Sequence, residues 1–112
     1  MLDSSFFVSD VVHTREVELA DGSTHTLHFK ELPAGVFRRF ALDNQNDNED
    51  VRVDSMARIV AAGLVTPEGK PALTFEQAKR LKAEPMLRIF EAIQEVNAPD
   101  PKVTTSGDSG TS

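Results

Sequence analysis

From Val11 to Lys30 polar and apolar side chains alternate: Val11, Val17 and Leu19 share one parity, as do Leu27 and Phe29, with the turn formers Ala20-Asp21-Gly22-Ser23 between them. A period of two broken by such a cluster predicts a β-hairpin. Register selects the loop. A two-residue Asp21-Gly22 loop would set Leu27 opposite Glu16, burying a carboxylate or exposing a leucine. A three-residue Ala20-Asp21-Gly22 loop sets Leu19 against Ser23, Val17 against His25 and Arg15 against Leu27, and keeps the apolar parity on one face. It also places Gly22 where a left-handed backbone is needed. Thr14, Glu16, Glu18, Thr26, His28 and Lys30 then form the wet face.

After Lys30 the period lengthens to three and four. Pro33 suits a first helical position, and Val36, Phe37, Phe40 and Ala41 make a stripe opposite Arg38-Arg39. Residues Asp43 to Asp50 are polar throughout and predict a surface loop, its acidic end lying ahead of the next helix, where negative charge complements the dipole. Met56, Ile59, Val60, Gly63 and Leu64 mark that helix, and Ala61 and Ala62 leave its flank open to close approach by a neighbour. Pro67 and Gly69 predict a tight turn. Thr74, three residues before Gln77, predicts a capping box that starts a helix at Thr74 or Phe75. Pro85 is expected to end or kink that helix and to start another, in which Met86, Ile89, Phe90, Ile93 and Val96 form one amphipathic face.

A two-stranded ribbon is not stable alone, so its apolar face must rest on helices. The expected fold is therefore α+β: an N-terminal β-hairpin packed on about four short α-helices. One domain spans residues 11–97, preceded by an arm of residues 1–10 and followed by a tail of residues 98–112. The tail is rich in Pro, Ser, Thr and Gly, with Val103 as its one sizeable apolar side chain, and is expected to be disordered or to serve as a linker. In the arm, Phe6-Phe7-Val8 is expected to fold back and cap the core; the other reading makes it an exposed anchor for a partner.

The helix end Leu64-Val65, the turn Gly69-Lys70-Pro71 and the helix start Thr74-Phe75-Glu76-Gln77-Ala78 together resemble the small tail assembly chaperones of long-tailed bacteriophages. With the order of elements on both sides, the resemblance covers roughly residues 11 to 97. It implies a protein made in the cytoplasm of the infected host cell and absent from the mature virion. Such a chaperone keeps the long helical tape measure protein soluble and helps recruit tail tube protein to it. The resemblance also implies that a ribosomal frameshift could extend some copies beyond Val96, where a flexible joint would suit it.

Composition narrows the remaining classes. At 112 residues and 12.3 kDa there is room for one core, and 39% hydrophobic with 27% charged residues is a globular balance. No cysteine means no disulfide, thiolate metal site or cysteine nucleophile, in keeping with a reducing compartment. A net charge of −6 disfavours phosphate-driven binding of nucleic acid and attraction to anionic membranes. No apolar run approaches bilayer length, and Met1-Leu2-Asp3 lacks the basic start of a secretory signal.

Candidate chemistry is sparse. In the three-residue-loop register His25 faces Val17, four residues from His13, which puts the two rings about 13 Å apart. His28 points to the other face, so no shared metal site is expected. The acidic loop lacks the central glycine and the ligand alternation of a calcium loop. No serine has a nucleophile-elbow context, and Gly63 and Gly69 build no phosphate cradle. Arg38, Arg39, Arg52 and Arg58 read as a solvated basic face, not as a DNA-reading surface. The expectation is a binding module without catalytic residues or cofactor. Its partner-binding candidates are Phe37 and Phe40 on the first helix, with Phe6 and Phe7 in the arm, and self-association stays open. The competing class is a small structural tail or head-completion protein of the virion, and a weaker third is an acidic transcription regulator.

Overall fold

In the computed structural model, which describes residues 2–98, two strands and the helix that covers them set the frame. Strand β1 (Val12–Glu18) pairs antiparallel with β2 (Thr24–Lys30). Val17 stands opposite His25 and Arg15 opposite Leu27, and the Leu19 amide donates to the Ser23 carbonyl at 2.9 Å. The three-residue loop is therefore the one adopted. Gly22 takes φ +89°, and Asp21 accepts from the Ser23 amide and hydroxyl, which closes the turn.

The last helix, α4 (Ala83–Asn97), lies along this hairpin. Glu84 near its start accepts from the Ala20 amide, Arg15 donates to Glu95, and Asn97 at its end accepts from the Leu32 amide, each at 2.8 Å. Ile89, Phe90 and Ile93 from α4 and Val17 and Phe29 from the hairpin are buried between them.

The central helix, α2 (Glu49–Gly63), touches α1 (Ala34–Asn44), the single-turn α3 (Phe75–Ala78) and α4. It supplies Ala57, Ile59 and Val60 to the core. Its start lies seven residues before Met56, inside the stretch expected to be loop. Asn48 accepts from the Asp50 amide at 2.8 Å, and Glu49 and Asp50 occupy the first turn. The acidic residues thus complement the dipole from within the helix. The loop shrinks to the few residues between Asn44 and Glu49.

The α+β architecture of a hairpin packed on four helices is the one adopted, and several details differ from expectation. First, the hairpin is not the whole sheet: Leu64–Val65 forms a short strand, β3, antiparallel to β2, with Leu64 opposite Phe29 and Val65 opposite His28. Leu64 leaves the helix because the chain turns extended there, and the Pro67–Gly69 turn closes a small hairpin. The Gly69 amide donates to Thr66 and the Thr66 amide to Lys70, while Val65 bridges Pro71. Second, Pro85 starts a new helix as expected, but it is not what ends the preceding one. The capping box of Thr74 and Gln77 is present, but α3 stops at Ala78, and Pro85 sits in the first turn of α4, where its missing N–H costs no intrahelical bond.

Third, the arm does not cap the core. Asp3 caps a short 3-10 turn at Ser4–Phe6, and Phe6 and Phe7 stand 70% and 61% exposed. Within the arm, the Ser9 amide donates to Glu31 at 3.0 Å. Pro33 is the N-cap of α1, one residue outside the position expected for it. The expected disordered tail lies outside the described residues from 99 onward.

Candidate functional site

Helix α1 contributes no fully buried residue, so its apolar stripe is only partly covered. Between it and α2 runs a groove of about 440 Å³. Val36 and Phe40 form one wall, Ile59 and Ala62 the other, and the stems of Arg39 and Arg58 close the rim. Small residues open it: Gly35 has nothing within 4 Å of a notional Cβ, and Ala62 keeps α2 thin on this side. Ser55 is buried at the floor, and its hydroxyl is satisfied by donation to the Arg52 carbonyl at 2.7 Å, so the lining presents no unpaired polar group there.

Charge gathers at the rim. Asp43, whose side chain is 15% exposed, accepts from Arg39 at 3.1 Å and lies 3.8 Å from Arg58. Arg58 also lies over the Phe75 ring, as does Lys79, each 5.2 Å from its centroid, and Lys79 pairs with Asp54 at 3.7 Å. Two guanidinium groups sharing one carboxylate leave this edge net positive on a chain whose total charge is −6.

The four sequence candidates divide. Phe40 lines the groove, with its ring 4.9 Å from that of Phe90, so the core holds it in place. Phe37 is half-buried against the core and does not line the groove. Phe6 and Phe7 lie away from it, facing Val96, Asn97 and Ala98 at the end of α4. Of the large hydrophobics exposed among the described residues, Leu2, Phe6, Phe7, Val8 and Val11 all precede β1, against Leu42, Val53 and Leu87 elsewhere. A second hollow, lined by Val8, Leu32, Pro33 and Ala61, shares Val36 and Ala62 with the groove, so the two join at the base of the arm.

Sequence reasoning missed Ile59, Ala62, Arg39, Arg58 and Asp43 as members of one site. The i,i+4 spacing of Arg39 and Asp43 was the one local signal available. Two of the three imidazoles are hydrogen-bonded locally, whereas His13 Nε2, though near Glu31, is buried without a hydrogen-bond partner. His13 lies 3.4 Å from Glu31, His25 pairs with Ser23 at 2.9 Å and His28 with Thr14 at 3.2 Å. Among the described residues no three His, Asp or Glu side chains converge as metal ligands, and no helix is long and apolar enough to cross a membrane. The arrangement can bury apolar side chains and bind carboxylates at its edge. No family model, curated protein or solved structure matches the chain.

Proposed function

We propose that the chain is a tail assembly chaperone of a long-tailed bacteriophage, acting in the cytoplasm of the infected cell and left out of the finished virion. Its groove takes the apolar stripe of a helix from the tape measure protein, keeps that protein dispersed and leaves it competent to receive tail tube subunits. The observation that carries this reading is the groove between α1 and α2, apolar inside and cationic at its edge. An amphipathic helix meets a partner in this way, by laying anchors spaced three and four residues apart into a hydrophobic furrow. The acidic remainder of the surface keeps such a complex from aggregating. The resemblance over Leu64 to Ala78 selects the partner.

The test is co-expression with the tape measure protein of the same phage. The expected outcome is a soluble complex, lost when Val36→Asp places a carboxylate in the groove. A tape measure protein no more soluble with this chain than without it overturns the reading. Finding the chain in purified particles would instead favour a structural tail or head-completion protein.

A further inference from the structure

The arm and the groove are each half of an interface. The arm presents Phe6, Phe7 and Val8 to solvent, flanked by Asp3 and Asp10; the groove is apolar and edged by Arg39 and Arg58. We infer that two copies of this chain exchange their N-terminal arms, the Phe6-Phe7-Val8 segment of each seated in the α1/α2 groove of the other.

Four observations support this occupant. The arm's base already borders the groove, since Val8 shares a hollow with Val36 and Ala62, so a twofold axis near that point brings each arm over the partner's groove by a short path. Length suffices. From Val36 to Asp43 the groove follows seven residues of helix, about 10 Å at 1.5 Å each, and the six residues from Val8 back to Leu2 reach about 20 Å when extended. Charge matches, because the arm's flanking carboxylates meet the guanidinium edge. Finally, the chain's own groove is not where its own phenylalanines go: Ser9 is tied to Glu31 and the aromatic pair turns toward the end of α4.

Reciprocal exchange would cover what is still exposed of four phenylalanines, roughly 100–150 Å² apiece. With the groove walls they contact, this approaches the size class of a specific interface, about 1,200–2,000 Å². The inference concerns the chain alone and does not depend on the tape measure reading.

Sedimentation equilibrium of the purified full chain reads the result. The expected outcome is a reversible dimer, weakened about tenfold or more by Phe6→Ser with Phe7→Ser, and weakened in the same direction by Arg39→Glu. These side chains are exposed, and unchanged far-UV circular dichroism confirms that the variants fold. Because the chain has no cysteine, single replacements report geometry directly. Phe7→Cys protein mixed with Gly35→Cys protein should form an inter-chain disulfide about tenfold faster than when mixed with Glu91→Cys protein.

A chain that stays monomeric at about 100 μM overturns the inference, as does a dimer indifferent to the Phe6 and Phe7 replacements. So does a disulfide that forms only within single chains carrying both Phe7→Cys and Gly35→Cys, which would mean that the arm fills its own groove.

Discussion

Gly63 at the end of α2 lies so close to Ile93 of α4 that a Cβ built on the glycine would stand 2.9 Å from the isoleucine Cδ1, 3.0 Å from its Cγ1 and 3.3 Å from its Cγ2. Both residues are buried. In an open helix position Gly→Ala stabilises by up to about 1 kcal/mol. Here the overlap decides the sign. Ile93 is β-branched and enclosed, so it cannot swing aside, and Gly63→Ala is expected to destabilise by about 1–3 kcal/mol in urea unfolding. Ile93→Val removes the nearest atom, so the double variant should show favourable coupling between the two sites in a mutant cycle.

Gly22, with φ +89° and open space around it, presents the opposite case. Its replacement meets no neighbour and suffers only the backbone cost of a left-handed conformation. Gly22→Ala should lose about 1 kcal/mol, and Gly22→Asn less, because asparagine tolerates that region. Equal losses for the two would show that something other than backbone strain is at work.

Asn97 ties the end of the last helix to the segment that launches α1. Its side-chain oxygen accepts from the Leu32 amide and its amide donates to the Ile93 carbonyl, both at 2.8 Å. Asn97→Ala leaves a part-buried backbone N–H without a partner, and an expected loss of about 1–3 kcal/mol follows. Asn97→Asp retains the acceptor and should lose less. Amide exchange at Leu32 separates the two variants.

Acidification should free the base of the arm. The Ser9 amide holds the Glu31 carboxyl below the usual glutamate range; burial opposes this in part, and His13 adds to the lowering. A depressed folded value means that the contact's stabilisation is fully present above the unfolded value, about 4.3, and is lost as pH falls through the lower folded value. The Ser9 amide resonance should therefore move in an NMR titration below about pH 4, and in Glu31→Gln the inflection should vanish. A Ser9 resonance that does not move over that range would show that Glu31 does not hold the arm.

If arm and partner compete for one groove, a peptide carrying an amphipathic tape measure helix should dissociate the arm-exchanged dimer. The Phe6→Ser, Phe7→Ser variant should bind that peptide more tightly than the parent chain, because no arm need be displaced. Isothermal titration of both proteins with the same peptide measures the difference. Equal affinities would place the arm and the peptide on different surfaces.

Local chemistry decided several features of this chain before any packing was known. The three-residue hairpin loop followed from side-chain parity and a glycine able to take positive φ, and Gly22 does so. The capping box at Thr74 and Gln77, the turn at Pro67 to Gly69 and the apolar face of α4 were legible for the same reason: each rests on residues within about four positions of one another. Tertiary contact decided the rest. Leu64-Val65 suits a helix end or a strand equally well by itself, and the open edge of β2 beside it selects the strand.

The site also lay beyond local reading. Phe40 was legible as part of an apolar stripe, but its wall partners Ile59 and Ala62 lie on another helix, and a groove is the spacing between two helices that no single periodicity encodes. Asp43, Arg39 and Arg58 likewise became one charged edge only when α1 met α2. Hydrophobic phenylalanines at residues 6 and 7 argued for burial, and the fold left them outside because the core was already closed by Phe29, Phe90 and the aliphatic side chains around them. Composition states how much apolar surface a chain carries; only the packed structure determines which part of it is left for a second molecule.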